Sequence, residues 1–125
     1  YVIETSNLNK EISPFFFCIL LFYIFFEVLF SFIRKKISKR NPLFPDENHL
    51  HMILFKVLNF KIFENKFKAN FMTSLILNLS YFLIILPALF FLYDNFLCKL
   101  YFVFCLTIYL VSYLILNKVQ KKLIK

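Results

Sequence analysis

The sequence predicts an all-α integral membrane protein of about three transmembrane helices, because long apolar runs dominate it and its positive charges gather between and after those runs. Hydrophobic residues make up 61% of the 125 residues, compared with about 45–50% in a typical soluble domain. A water-soluble chain of this size could not bury so much apolar surface, whereas a lipid solvent removes the need. The length is that of one small domain.

The first apolar run, 14–33, is long enough to cross a bilayer once as a helix. At about 1.5 Å per residue it would extend about 30 Å, the thickness of one hydrocarbon core. Pro14 can occupy the first helical turn, where a missing N–H has no cost. The run contains a single charged residue, Glu27, and ends at the basic residue Arg34.

Two further apolar runs, 71–93 and 96–116, predict a second and a third transmembrane helix. The second run contains no charged residue, and in the third Lys99 lies near the start, where its amine can reach the membrane interface. Only residues 94–95 separate the two runs. We therefore expect the two helices to form an antiparallel hairpin.

The distribution of lysine and arginine predicts the orientation in the membrane. Of the 15 such residues, nine lie in the loop 34–70 and four in the tail 117–125, whereas only Lys10 and Lys99 lie on the other side. Because cytoplasmic loops carry the excess of positive charge, the loop and the tail are expected in the cytoplasm. The net charge of +8 therefore does not require a nucleic-acid partner.

The cytoplasmic loop predicts a structured segment of its own. Pro42 and Pro45 favour an extended or turn conformation before Asp46. Asp46 is then a suitable N-cap for an amphipathic helix over about 46–63. We expect this helix to lie at the membrane surface or to pack under the bundle.

The sequence His49-Leu50-His51 is the group of residues best suited to binding or catalysis. Two imidazoles close to Asp46 and Arg40 could donate hydrogen bonds to phosphate, bind a metal or transfer protons. The alternative is a pair of surface histidines in a basic loop. A zinc site is not expected, because the loop offers no cysteine or further histidine. Without glycine, the chain also lacks the motifs of a P-loop or a hydrolase elbow.

Glu27 has two interpretations that the sequence leaves open. A carboxylate inside a transmembrane helix can mark a functional site. Glu27 is, however, near the predicted cytoplasmic end of its helix, so it could equally reach the interface or pair with Arg34 on the same helical face.

Several motifs follow one another in a fixed order between about residues 12 and 60: an apolar helix containing an acid, a basic stop, a proline turn, Pro-Asp and then His-x-His. In sequence they are Ile12-Ser13-Pro14-Phe15-Phe16, Phe26-Glu27-Val28-Leu29-Phe30-Ser31, Ile33-Arg34-Lys35-Lys36, Asn41-Pro42-Leu43-Phe44-Pro45-Asp46 and His49-Leu50-His51. This order resembles the polyprenyl-phosphate sugar-1-phosphate transferases, glycosyltransferases of the cytoplasmic membrane.

The resemblance implies that the chain is the C-terminal portion of a larger helical bundle with a cytoplasmic active site. Such enzymes move a sugar-1-phosphate, here expected to be of the N-acetylhexosamine type, from a UDP-sugar to polyprenyl phosphate. They initiate surface glycans such as the O-antigen of lipopolysaccharide and contribute to cell-wall biogenesis. They use magnesium, whose Asp-rich motifs lie upstream of the part that resembles this chain. We therefore expect the chain alone to be inactive and to hold no metal.

The resemblance also assigns roles within the loop. It implies that His49 and His51 are catalytic residues of the nucleotide-diphosphate pocket, with Arg40 and Asp46 contacting substrate. If Asp46 caps the helix, His49 lies in the first turn, where the dipole favours an anion. His49 is then the expected direct contact, and His51 orients the loop.

The chain departs from the family pattern at two places. Met52 stands where a third histidine often follows. Before the turn, the family commonly has a basic residue followed by Gly-Arg-Ser-Pro, whereas this chain reads Lys39-Arg40-Asn41-Pro42. A different class of function also fits the sequence: a non-catalytic multi-pass membrane protein, either a truncated relative or an assembly subunit.

The predicted topology can be tested with reporter fusions. A reporter fused after Asn65 should lie in the cytoplasm and one fused after Asn95 outside it, because the positive charges retain the 34–70 loop inside. Protease accessibility of each fusion is the measurement. Reporters in the same compartment would contradict the three-helix topology.

Overall fold

The computed structural model describes residues 12–39, 41, 44, 46 and 48–124. These residues form five α-helices and one 3₁₀ turn, with no β-strand in the part described. The all-α fold predicted from the sequence is thus confirmed. The helices are α1 (Pro14–Leu20), α2 (Phe22–Ile37), α3 (Leu50–Lys61), α4 (Lys66–Ala88) and α5 (Asn95–Ile124), and the 3₁₀ turn Leu89–Phe91 follows α4.

Two segments in this part of the chain are long and apolar enough to cross a membrane unbroken, namely Lys66–Phe91 and Asn95–Leu123. Helices α1 and α2 form a third candidate span, but they are bent by 74° relative to each other. Helices α4 and α5 extend past the apolar runs 71–93 and 96–116 into basic sequence. Lysine is a good helix former, so the charge that ends an apolar run does not end the helix.

The bend between α1 and α2 occurs at Leu21, where the sequence has neither proline nor glycine. In a continuous helix the Leu20 carbonyl would accept the N–H of Ile24. Instead, it accepts a hydrogen bond from the hydroxyl of Tyr81 on α4. A side chain that inserts into the backbone ladder is a recognised cause of helix kinks. The helix predicted to be uninterrupted over 14–33 is therefore bent, and the contact at the bend comes from a residue on another helix.

The two ends of the bundle are held together by polar contacts. At one end, Ser13 donates its N–H to the Leu92 carbonyl at 3.0 Å and its hydroxyl to Asn95 Oδ1 at 2.9 Å. At the other end, Arg34 Nη1 donates to the Tyr113 hydroxyl at 2.7 Å. The start of α1 and the α4–α5 turn thus share one end, while the end of α2 lies at the opposite one. Which end faces the cytoplasm stays a prediction.

Aromatic packing between α2 and α5 forms the central core. Phe22, Phe26 and Phe30 stack along α2. Their rings meet Tyr109 and Tyr113 edge to face, with centroid distances of 4.9 Å for Phe26–Tyr109 and 4.8 Å for Phe30–Tyr113. Such pairs contribute about 0.5–1.5 kcal/mol each beyond the area that they bury.

Helix α3 begins later than the sequence predicts. It starts at Leu50 with His49 as its N-cap residue and ends at Lys61, so the prediction that Asp46 caps a helix over 46–63 is wrong. Asp46 Oδ1 instead accepts the N–H of Asn48 at 3.0 Å, which is a local turn. The predicted turn at Pro42 and Pro45 lies outside the described residues. Helix α3 packs against α4 and α5 through its buried face, Leu50, Ile53, Val57 and Leu58.

Replacing Tyr81 by phenylalanine should test the bend. The Leu20 carbonyl would lose its donor in an apolar environment, so Tyr81→Phe should lower the free energy of unfolding by about 1 kcal/mol. Thermal melts in detergent provide the measurement. Tyr93→Phe is the matched control, because the Tyr93 side chain is exposed. Equal melting temperatures for the Tyr81 variant and the control would show that the contact does not hold the bend.

Candidate functional site

Three polar side chains lie along one face of α2 within an apolar sequence. Glu27, Ser31 and Arg34 follow at intervals of four and three residues, the spacing that places side chains on the same face of a helix. Glu27 and Ser31 are buried. This polar stripe contacts helix α5 and the residues Asp46, His49 and Leu50. We call Asp46 and residues 48–51 the histidine loop.

The carboxylate of Glu27 binds the N-terminus of α3. Its Oε1 accepts the Leu50 N–H at 2.7 Å and contacts His49 Nδ1 at 3.0 Å, while its Oε2 accepts the Tyr109 hydroxyl at 2.7 Å. Glu27 is only 7% exposed. A buried carboxylate requires such partners, and the positive end of the α3 dipole adds to them. The suggested pairing of Glu27 with Arg34 is therefore wrong, because Arg34 binds another acid.

Asp46 is the partner of Arg34. Its Oδ2 accepts the Ser31 hydroxyl at 2.7 Å and forms an ion pair with Arg34 Nη2. Burial by itself would raise the pKa of Asp46, but the hydrogen bonds from Ser31, the Asn48 N–H and Arg34, together with the Arg34 charge, lower it from 3.8 to about 2. Asp46 is thus a carboxylate that ties the histidine loop to α2.

Arg34 is held by aromatic rings as well as by Asp46. Its guanidinium lies 5.2 Å from the centroid of the Tyr113 ring and 5.6 Å from that of Phe30. A cation over an aromatic face contributes about 0.5–2 kcal/mol, according to its exposure. Helix α5 therefore supplies one tyrosine to Arg34 and another, Tyr109, to Glu27.

The two histidines lie side by side at the start of α3. Their ring centroids are 5.6 Å apart, with an angle of 16° between the ring planes. Two residues within a helix would diverge by about 200°, but His49 is the cap residue and has extended backbone angles, φ −68° and ψ 149°. The His49 side chain is 26% exposed and its Nδ1 is held by Glu27. His51 is exposed.

The structure brings together most, but not all, of the residues that the sequence singled out. His49, His51 and Glu27 form one group. Asp46 lies beside this group, where its side chain is 7% exposed and forms an ion pair with Arg34. Arg40 lies outside the described residues.

Sequence reasoning missed Tyr109, Tyr113 and Ser31 as partners of this group. A signal was present, because the two tyrosines lie four residues apart in an apolar run and can therefore share one helical face. Ser31 likewise lies between Glu27 and Arg34 on the face of α2. What the sequence did not show was that these two faces meet.

The described residues do not fit a magnesium site. Magnesium prefers carboxylate oxygens and water in octahedral geometry. In the part of the chain that the structure describes, no three His, Cys, Asp or Glu residues lie close enough to hold a metal. Among the described residues, the carboxylates of Glu27 and Asp46 lie close to this site, and both already bind protein donors.

Comparison with known proteins gives one similarity over a short segment. A stretch of 29 residues, 23% of this chain, is 48% identical to the undecaprenyl-phosphate α-N-acetylglucosaminyl 1-phosphate transferase of Thermotoga maritima. The matched segment spans 10% of the length of that transferase. No protein-family profile and no solved structure matches the chain. The similarity thus links part of this membrane chain to a transferase.

The contribution of Asp46 to stability should depend on pH. Its carboxylate is stabilised in the folded state, so this contribution, about 2 kcal/mol, is present above the ordinary pKa of 3.8 and is lost as the pH falls through about 2. Asp46→Asn should therefore lower the free energy of unfolding by about 2 kcal/mol at neutral pH.

The difference between the wild type and Asp46→Asn should fall to about 0.4 kcal/mol at about pH 2, where the native carboxyl is half protonated. Denaturation in detergent at both pH values is the measurement. Glu64→Asn is the control for loss of an exposed carboxylate. An undiminished difference at low pH would show that the charge of Asp46 does not stabilise the loop.

Proposed function

We propose that this chain forms part of a membrane enzyme that moves a sugar-1-phosphate from a UDP-sugar to polyprenyl phosphate, the first step of a surface glycan. The observation that carries the proposal is the stacked pair His49 and His51, anchored by the buried carboxylate of Glu27 in a loop predicted to face the cytoplasm. The similarity of a 29-residue segment to a transferase with a polyprenyl-phosphate acceptor supports it.

The chemistry of the reaction explains why such a pair would be useful. The donor carries a diphosphate and the acceptor a phosphate, so the reaction brings like charges together. Fixed hydrogen-bond donors that stabilise the developing charge are a major source of catalysis in such reactions. The rings of His49 and His51 are parallel and close together. A protonated ring could donate to a phosphate oxygen, and a neutral ring could accept the hydrogen of a protonated phosphate.

The tether between Arg34 and Asp46 has a supporting role in this proposal. The sequence assigned Asp46 to substrate binding, but its carboxylate is engaged by Ser31 and Arg34. A second negative charge beside a diphosphate would also oppose binding. We infer that Asp46 fixes the loop, and that Arg40 remains a candidate for the phosphate contact.

The membrane setting fits a lipid acceptor. Polyprenyl phosphate has a long apolar chain and an anionic head, so its head must meet the donor near the membrane surface. Asp46, in the segment just before the histidines, binds Arg34 in the last turn of α2, which also contains Lys35 and Lys36. Positive charge at this end is consistent with an anionic head group and with a cytoplasmic position of the histidines.

Alanine substitution of each histidine should test the proposal in the full-length protein. His49→Ala should lower kcat/KM by about 10- to 150-fold, because a hydrogen bond to a charged group contributes about 1.5–3 kcal/mol. His51→Ala should also lower it. The assay is UDP-sugar-dependent formation of lipid-linked sugar by membranes that contain each variant at matched protein level.

A control distinguishes the loss of a catalytic histidine from a general loss of basic side chains. Lys61→Ala alters an exposed residue in the last turn of the same helix, and should leave the rate within about twofold. Wild-type rates for both histidine variants would contradict the proposal. The chain would then fit better with the alternative of a non-catalytic multi-pass membrane protein.

A further inference from the structure

Glu27 accounts for a property of His49 that the proposed reaction would need. A neutral imidazole has a hydrogen on one nitrogen and a lone pair on the other, and its partners decide which nitrogen carries the hydrogen. The partner of His49 Nδ1 is Glu27 Oε1, at 3.0 Å. The same oxygen accepts the Leu50 N–H at 2.7 Å, and the other oxygen of Glu27 accepts the Tyr109 hydroxyl at 2.7 Å.

Both oxygens of Glu27 already act as acceptors, for Leu50 and for Tyr109, so the hydrogen of the contact with His49 is assigned to Nδ1. We propose that Glu27 is a positioning residue that keeps the hydrogen of neutral His49 on Nδ1 and leaves Nε2 for the substrate. This inference rests on the proposed function for its catalytic meaning. The geometry itself concerns only Glu27, His49 and the residues around them.

Three features make Glu27 suited to fixing a ring and not merely to filling a core position. It is buried, so water competes little for its oxygens. Tyr109 holds Oε2 at 2.7 Å, which fixes the carboxylate from the side opposite the histidine. The Leu50 N–H belongs to the first residue of α3, so Glu27 Oε1 holds both the His49 ring and the start of this helix.

The consequence is a specific hydrogen-bonding role for the other nitrogen. With Nδ1 engaged, a neutral His49 offers only the Nε2 lone pair, which accepts a hydrogen bond or a proton. It donates to a phosphate oxygen only when the ring is protonated. The neutral ring therefore suits a substrate group that carries a hydrogen, such as a sugar hydroxyl or a protonated phosphate oxygen.

The tautomer of His49 can be measured directly. The full-length protein, labelled with ¹⁵N-histidine and placed in lipid nanodiscs, gives two nitrogen resonances for each ring. Those that disappear in His49→Asn belong to His49. At a pH where this ring is neutral, we expect its Nδ1 to show the shift of a protonated nitrogen and its Nε2 that of a lone-pair nitrogen. The reverse assignment in the wild type would overturn the proposal without any variant of Glu27.

Two substitutions separate positioning from packing. Glu27→Gln preserves volume but removes the charge, so the preference for Nδ1–H should be lost and kcat/KM should fall by about 10- to 100-fold, as for other carboxylates that orient a histidine. Tyr109→Phe removes one support of the carboxylate. It should lower the melting temperature but retain the hydrogen on Nδ1.

Glu64→Gln is the matched control, because it makes the same chemical change at an exposed position. Unchanged His49 resonances and unchanged kcat/KM in Glu27→Gln would overturn the proposal. A wild-type ring with hydrogen on Nδ1, together with full activity of His49→Ala, would support the positioning by Glu27 and contradict the proposed function. The two ideas can therefore fail separately.

Discussion

The structure around the histidines depends on one buried carboxylate. Glu27 lies on an otherwise apolar helix, where an unpaired charge would be severely destabilising. Its burial is possible because three donors from two other segments converge on it: His49 Nδ1, the Leu50 N–H and the Tyr109 hydroxyl. The same contacts place the start of α3 against α2 and α5. A single acid thus links the loop to the membrane helices.

The second tether makes this arrangement more specific. Arg34 and Asp46 join α2 to the segment before α3, and the ring of Tyr113 shields the guanidinium. Either tether alone would leave the loop free to pivot about one point. Together, Glu27 and Arg34 hold it at two points about two helical turns apart on α2, which orients the histidine pair as well as restraining it. Apart from His49, the residues that hold the loop are distinct from those that we propose to contact substrate.

The outer faces of the helices follow a different constraint. Large apolar side chains such as Phe25, Phe82 and Phe104 are exposed. In water this surface would drive aggregation, whereas in a bilayer it is the normal boundary with lipid. Some polar side chains on these helices bind the backbone of their own helix. Ser80, for example, donates its hydroxyl to the Ile76 carbonyl one turn earlier on the same helix.

The amino-acid sequence by itself determined the class of fold and the location of the candidate site. The apolar runs predicted the membrane helices because lipid solvation depends on composition and length, which are local properties. The His-x-His motif could be recognised because histidine is rare in such a chain, which contains only these two. Glu27 stood out for the same reason, as a charge within an apolar run.

Only the tertiary structure decided how these residues combine. The bend at Leu21 depends on the hydroxyl of Tyr81, and the true start of α3 depends on Glu27 capping Leu50 in place of Asp46. The exchange of partners, Glu27 with His49 and Arg34 with Asp46, likewise joins residues 22 and 12 positions apart. Such contacts are set by which helix faces meet in the bundle, and local periodicity contains no information about that meeting.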